Sequence, residues 1–492
     1  MSVNVIRKDI LFEADSSRVI ARFMYSSDER SVALINRLME LTEKQQQEML
    51  IQVLRDFSKR HRSISKIFEK NFNKLSHLFT RLDINHHSLT HTLKILIGSY
   101  FTMEYSIEAA AFFNPSIVED PDQSELGRGQ KRVIISFRAT GEGHVSSIVF
   151  RSGIIDINNT INIEPAGKML DSPEHVKNHT YHKASFRRKL KEMQDCNSLA
   201  YPVMMGKLTD SFTYEELKRY VEETRQAVYT DAKSMVLLNE MMWLASSHYE
   251  MNFSVDTAIS ERVIFPIADT EMKGIEDARF VRFTDDDGEV TYYATYTAYD
   301  GITILPKLLL TKDFYHFKVM PVHGEVAQNK GMALFPRKIN GKFAMLCRID
   351  GVNNYISFSE NINVWREASL LQTPKYPWEF VQMGNCGSPV ETPEGWLVIT
   401  HGVGPVREYV LGVSLLDLEN PEKEIGRLPT PLIIPNNKER EGYVPNVVYS
   451  CGSIIHEENL IIPYAMSDYA STYATVNVAE LLAALKNPEN RG

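Results

Sequence analysis

Three groups of residues have types and spacings suited to chemistry. The densest is Gly274-Ile-Glu-Asp-Ala-Arg279, an acidic pair followed by an arginine. Successive side chains on a strand point to opposite faces, so one of Glu276 and Asp277 is expected to face a ligand while the other anchors the backbone. The plain alternative is a surface turn closed by a salt bridge. The second group is dispersed: Lys330, Arg348, His401 at the end of the apolar run Trp396–Thr400, and Tyr409. Singly, each has an ordinary role as a loop lysine, an ion-paired arginine or a packed imidazole. Gathered together they would make an anion pocket of two cations, an imidazole and a phenol. Hydrogen bonds from such donors to an oxyanion contribute about 1.5–3 kcal/mol each. The third group, Glu441–Gly452 with Tyr464-Ala-Met-Ser-Asp468, sets a carboxylate near Tyr464 and Tyr469, a platform for sugar hydroxyls and a ring face.

Other chemistries lack their residues. Cys196, Cys347, Cys386 and Cys451 are widely spaced, which fits neither a disulfide framework nor a zinc site, so reduced thiols, a cytoplasmic location and no metal are expected. Gly141-Glu-Gly143-His144 lacks the third glycine of a dinucleotide loop and reads as a turn. With 54 basic and 63 acidic side chains the formal charge is −9, which disfavours a nucleic-acid partner. No apolar run approaches the roughly 20 residues of a membrane span, and the charged start MSVNVIRKDILFEADSS does not read as a secretory signal.

The elements that must position these residues divide the chain. Its 492 residues exceed one comfortable core. Apolar residues at Leu34, Leu38, Leu41, Met49, Val53 and Phe57 predict a helix from Asp28 to Phe57, with further helices over 65–82 and 89–112. These would form a packing or oligomerisation layer. Arg132–Ala139 and Val145–Ser152 are β-rich runs around the turn Thr140–Gly143. Helical texture returns over about 185–247, where Thr213-Tyr-Glu-Glu216 is a capping-box start, and this stretch reads as an insertion. From Ile264 to Val478 short strands alternate with turns such as Asp286-Asp-Gly288 and Asn340-Gly341. That pattern allows a sandwich, a barrel or a propeller; a sub-pattern recurring about every 50 residues favours propeller blades.

Six segments together resemble glycoside hydrolase family 130: GIEDAR (274–279), TYTAYDG (295–301), the block from Lys330 through ALFPRKINGKF to Arg348, WLVITHGV (396–403), YVLGVSLLDL (409–418) and EGYVPNVVYSCG (441–452). The likeness covers roughly 109–165 and 262–485, with the motifs in family order. It implies a mainly β fold, a five-bladed β-propeller over 109–492, with an α-helical N-terminal extension over 1–108 and the helical insertion. It also implies a β-mannoside phosphorylase or β-mannosidase. Asp277 matches the family's catalytic acid, which acts on the glycosidic oxygen through a hydroxyl of the mannosyl unit. Lys330, Arg348, His401 and Tyr409 match its phosphate pocket. Asp468 matches a mannosyl-binding aspartate, and Asn114, Arg138 and Asp300 are further candidates for sugar contacts.

Physical chemistry agrees with this division of labour. Inverting cleavage needs one acid on the leaving oxygen and a nucleophile on the opposite ring face. Water would need a second carboxylate as base, whereas phosphate is already an anion and needs cations to hold it. The expectation is therefore phosphorolysis of a mannose-containing oligosaccharide with inorganic phosphate as co-substrate, no other cofactor, no nucleic acid or membrane partner, and a homo-oligomer. An inverting β-mannosidase, with Glu276 or Glu441 as its second carboxylate, and a non-catalytic glycan-binding propeller are the alternatives.

Overall fold

The β-rich runs beyond residue 110 form antiparallel meanders, built from β-branched and aromatic residues that suit a pleated, half-buried surface. The computed structural model describes residues 3–487 except 177–179, 194–195, 228–230 and 302–303. In the first meander, strands Ala111–Glu119, Lys131–Thr140 and Ser146–Ile155 pair in sequence order. In the second, Gly274–Thr284, Val290–Tyr299, Ile304–Thr311 and His316–Pro321 follow one another, and Gly274 bridges to Ser146 so that both meanders share one sheet. Ala333–Leu334, Phe343–Cys347, Asn354–Ser359 and Ala368–Gln372 form the third group. Gln382–Asn385, Val390–Thr392, Gly395–Val403, Tyr409–Leu416 and Glu424–Arg427 form the fourth.

The last group comprises Val448–Tyr449, Ile454–His456, Asn459–Met466 and Ala470–Asn477, and its outer strand pairs with Val5–Arg7 from the start of the chain. It is also tied back to the first meander. Phe112 N–H donates to the Tyr469 carbonyl at 3.0 Å, and Cys451 N–H to the Pro115 carbonyl at 2.8 Å. The chain is mainly β, with apolar cores between neighbouring sheets, as where Leu397, Leu411, Leu460 and Ile462 meet.

The helical regions depart from expectation at their ends. The run from Asp28 to Phe57 is two helices, Asp28–Met39 and Glu43–Phe57, because Thr42 begins a new one with a capping box to Gln45. The helix expected over 89–112 is His91–Tyr100 only. Thr102–Ser106 is a strand paired with Val19–Phe23, and Ala111 already belongs to the first meander. Phe101-Thr-Met-Glu-Tyr105 mixes β-branched and aromatic residues, and a strand partner far upstream decided its conformation. Glu108, fully buried, pairs with Arg18 at 2.8 Å and Arg151 at 3.0 Å and joins this layer to the first meander.

Among its described residues the insertion has four helices, Lys183–Met193, Ala200–Lys207, Tyr214–Ala227 and Ala232–Ser246, around Leu190, Met204, Leu217 and Leu238. Its flanking strands, Glu174–Val176 and Tyr249–Asn252, extend the second meander beyond His316–Pro321. Among the described residues no helix is long and apolar enough to cross a membrane.

Candidate active site

Side chains from all five groups converge on one cavity of about 400 Å³. Asn114, Arg138, Asp277, Lys330, Arg348, His401, Tyr409 and Asp468 all line it. Asp300, expected at a sugar contact, is not on this wall; it follows the end of Val290–Tyr299. Glu441 does not line it either.

Local irregularities aim several of these side chains. Asp277 has φ 54° and Asn114 φ 50°, each where a strand shifts register, and Asp468 has φ 52° in the turn after Asn459–Met466. Asn and Asp tolerate this left-handed region better than other residues with a Cβ, and bulges re-aim side chains beside active sites. The irregularity overturns the expectation that Glu276 and Asp277 face opposite ways. Arg138 reaches both, donating to Glu276 Oε1 at 2.8 Å and to Asp277 Oδ1 at 3.4 Å. Alternation holds only for a regular strand, and the register slips between Glu276 and Arg279.

Asp277 accepts a hydrogen bond from Asn114 Nδ2 at 2.6 Å. Burial pushes its carboxyl up, but Arg138, Lys330 and the Asn114 bond outweigh burial and hold it below the usual aspartate value. Burial acts unopposed enough on Asp468 to raise it to about 6, with Arg138 and Arg407 pulling down and Asp277 and Glu276 pushing up. The two carboxyls of one cavity therefore differ in proton affinity, the direction in which acid and base roles separate.

Lys330, Arg348, His401 and Tyr409, expected as an anion pocket, are not four free donors. Lys330 Nζ is engaged by Glu276 Oε2 at 2.5 Å. His401 is neutral, because burial, with Arg348 and Arg279 nearby, pulls it well below the usual imidazole value. Its Nδ1 lies 3.6 Å from Cys386 Sγ, and its ring stacks on Tyr409 at 5.9 Å and 13°. Tyr409 OH accepts from Gln382 Nε2 at 3.0 Å. Arg348 is 9% exposed, donates through Nη2 to the Gly351 carbonyl, and has a buried Nε with no hydrogen-bond partner. A buried guanidinium without a carboxylate is costly unless a ligand anion completes it.

Three residues that sequence reasoning passed over shape the site. Arg279, within the acidic motif, donates to Asn385 O at 3.0 Å and Tyr449 OH at 2.6 Å beneath the cavity. Gly384 leaves room for Arg348 and His401: a Cβ there would lie 2.4 Å from Arg348 Cδ and 2.8 Å from His401 Cε1. Arg407 lies on the cavity wall from a hairpin tip. Contacts across separate sheets carry no local signal, and only the arginine in GIEDAR could have been suspected. Among the described residues no group of three or more His, Cys, Asp and Glu side chains is placed to hold a metal ion.

The profile of glycoside hydrolase family 130, described as beta-1,4-mannooligosaccharide phosphorylase, matches residues 230–487, about half the chain. The chain belongs to glycoside hydrolase family 130. Among family relatives, a 1,2-beta-oligomannan phosphorylase of Thermoanaerobacter sp. (strain X514) is 34% identical over 218 residues, covering 43% of this chain and 71% of the relative. A beta-1,2-mannobiose phosphorylase of Listeria innocua is 29% identical over 232 residues, covering 45% of this chain and 63% of the relative. The solved structure of a beta-1,2-mannobiose phosphorylase from Listeria innocua with beta-1,2-mannobiose superposes with a TM-score of 0.46 at 21% identity, covering 78% of this chain and 93% of that one.

Proposed function

We propose that this family 130 protein is an inverting β-mannoside phosphorylase, which transfers a mannosyl unit from a β-linked mannooligosaccharide to inorganic phosphate and forms α-mannose 1-phosphate. The observation that carries this reading is Arg348, a buried cation with an unpartnered Nε in the same cavity as Asp277. An oxyanion is the ligand such a group lacks. His401 and Tyr409 flank it as further hydrogen-bonding groups, and Asn114, Arg138 and Asp468 are suited to the mannosyl hydroxyls. The five successive sheet groups support a five-bladed propeller with the cavity in its central channel.

In this reading Asp277 delivers a proton towards the glycosidic oxygen as phosphate attacks C1 from the opposite ring face. The C1–oxygen bond to the leaving sugar breaks and a C1–oxygen bond to phosphate forms. The proton lost by hydrogenphosphate replaces the one Asp277 gives up, so no further reactant is needed. Asp277 is ionised in the free protein, and a phosphate anion bound nearby raises its proton affinity. Hydrolysis would instead need a carboxylate free to act as base. Glu276 is committed to Arg138 and Lys330, which speaks against that use.

Mannooligosaccharides incubated with and without phosphate test the proposal. Phosphate-dependent formation of mannose 1-phosphate is expected. Free mannose released equally in both tubes, with no sugar phosphate, would refute it.

A further inference from the structure

The charges in the cavity do not balance around the residues assigned so far. Arg138 and Lys330 are matched by Glu276 and Asp277. Among the residues assigned on the wall, that leaves Arg348, with Arg279 buried beneath the cavity, to face a phosphate that carries more than one negative charge. Arg407 is the remaining cation on the wall, and among the described residues no carboxylate lies within ion-pair distance of it.

Its position is bought with backbone strain. The strands Gly395–Val403 and Tyr409–Leu416 are joined by a tight turn in which Gly404 N–H donates to the Glu408 carbonyl at 3.0 Å. Val406 and Arg407 both have φ 58°. Turns with two left-handed residues favour Asn-Gly, and a β-branched residue there is an outlier. Val406 is 89% exposed, so no burial offsets its strain. The turn brings the Arg407 guanidinium 5.8 Å from the centre of the Tyr409 ring, which itself stacks on His401. Strain held at a tip that aims a cation into a cavity is a mark of function.

We infer that Arg407 is a phosphate-binding residue, closing on the anion from the rim while Arg348 holds it from within. The assignment rests on the phosphorylase reading for the identity of the anion. It makes phosphate capture depend on two unpaired guanidiniums from neighbouring sheets, one rigid and one exposed.

Arg407→Gln and Arg407→Lys test it through steady-state rates and through calorimetric binding of inorganic phosphate to the free protein. In Arg407→Gln the phosphate KM and the phosphate Kd are expected to rise about tenfold or more, the loss of one charge-assisted hydrogen bond. The mannoside KM is expected to stay within about twofold, and Arg407→Lys to recover part of the phosphate affinity, since it keeps the charge but not the fork. Unchanged phosphate binding would overturn the inference. So would a rise confined to the mannoside KM, which would make Arg407 a positioning partner of Asp468. A wild-type protein that binds phosphate but forms no sugar phosphate would refute the reaction, and the Arg407 assignment would then be decided by the binding comparison alone.

Discussion

Replacing Gly384 with alanine adds a single methyl group between Arg348 and His401, the two sides of the proposed phosphate pocket. The new Cβ would lie 2.4 Å from Arg348 Cδ, 2.6 Å from its Nε and 2.8 Å from His401 Cε1. Comfortable carbon contacts begin at about 3.5 Å, so the neighbours must move by roughly 1 Å. The Arg348 head is tethered to the Gly351 carbonyl and His401 is packed against Tyr409, so neither retreats freely. A displacement of that size in a positioned site costs up to about 100-fold. The crowding itself costs about 1–3 kcal/mol of stability. We expect Gly384→Ala to raise the phosphate KM about 10- to 100-fold, lower Tm by a few degrees, and leave the mannoside KM nearly unchanged. Initial rates with phosphate varied at saturating mannooligosaccharide measure it. A double-mutant cycle sharpens the test: after Arg348→Ala only the His401 contact remains, so Gly384→Ala should cost less than it does beside the intact arginine. An unaltered phosphate KM in the single variant, or full additivity in the double, would refute the reasoning.

Two further outcomes follow from buried charges. Lys307 and Glu271 are both fully buried and paired at 2.7 Å, with Tyr249 and Tyr296 also donating to Glu271. Lys307→Met should cost about 3–5 kcal/mol in denaturant unfolding, because it strands a buried carboxylate. Adding Glu271→Gln should restore much of that, and equal stability of the single variant and wild type would contradict it. Asp468, raised to about 6 against an ordinary aspartate value of about 3.9, binds its proton more tightly folded than unfolded. Its ionisation therefore costs stability, which falls as pH rises from about 4 to 6. Asp468→Asn should flatten that part of the Tm–pH curve, and parallel curves would show that the carboxyl titrates normally.

Structure is legible in the sequence where one segment decides its own conformation. The Thr213–Glu216 capping box is present, with Glu216 N–H donating to Thr213 Oγ1 at 3.3 Å. The turn after Thr140 joins paired strands. Motif residues from all five strand groups meet in one cavity, with Asp300 the exception. What escaped depends on partners distant in the chain or on backbone geometry. The helix expected to reach residue 112 stops at Tyr100, since Val19–Phe23 recruits Thr102–Ser106 as a strand. The bulge at Asp277 cannot be read from alternating side chains, so the shared grip of Arg138 on both acids was missed. The pairing of Lys330 with Glu276, the neutrality of His401 and the room left by Gly384 are likewise products of assembly.

The claim that phosphate, not water, meets the mannosyl carbon is tested most directly in the synthetic direction. The protein should be supplied with α-mannose 1-phosphate and a short β-mannoside acceptor, with inorganic phosphate and the saccharides followed together. One phosphate should be released for each β-mannosyl unit added to the acceptor, with β-mannose 1-phosphate inert. Conversion of the sugar phosphate to free mannose without elongation, or no use of it at all, would rule out phosphorolysis.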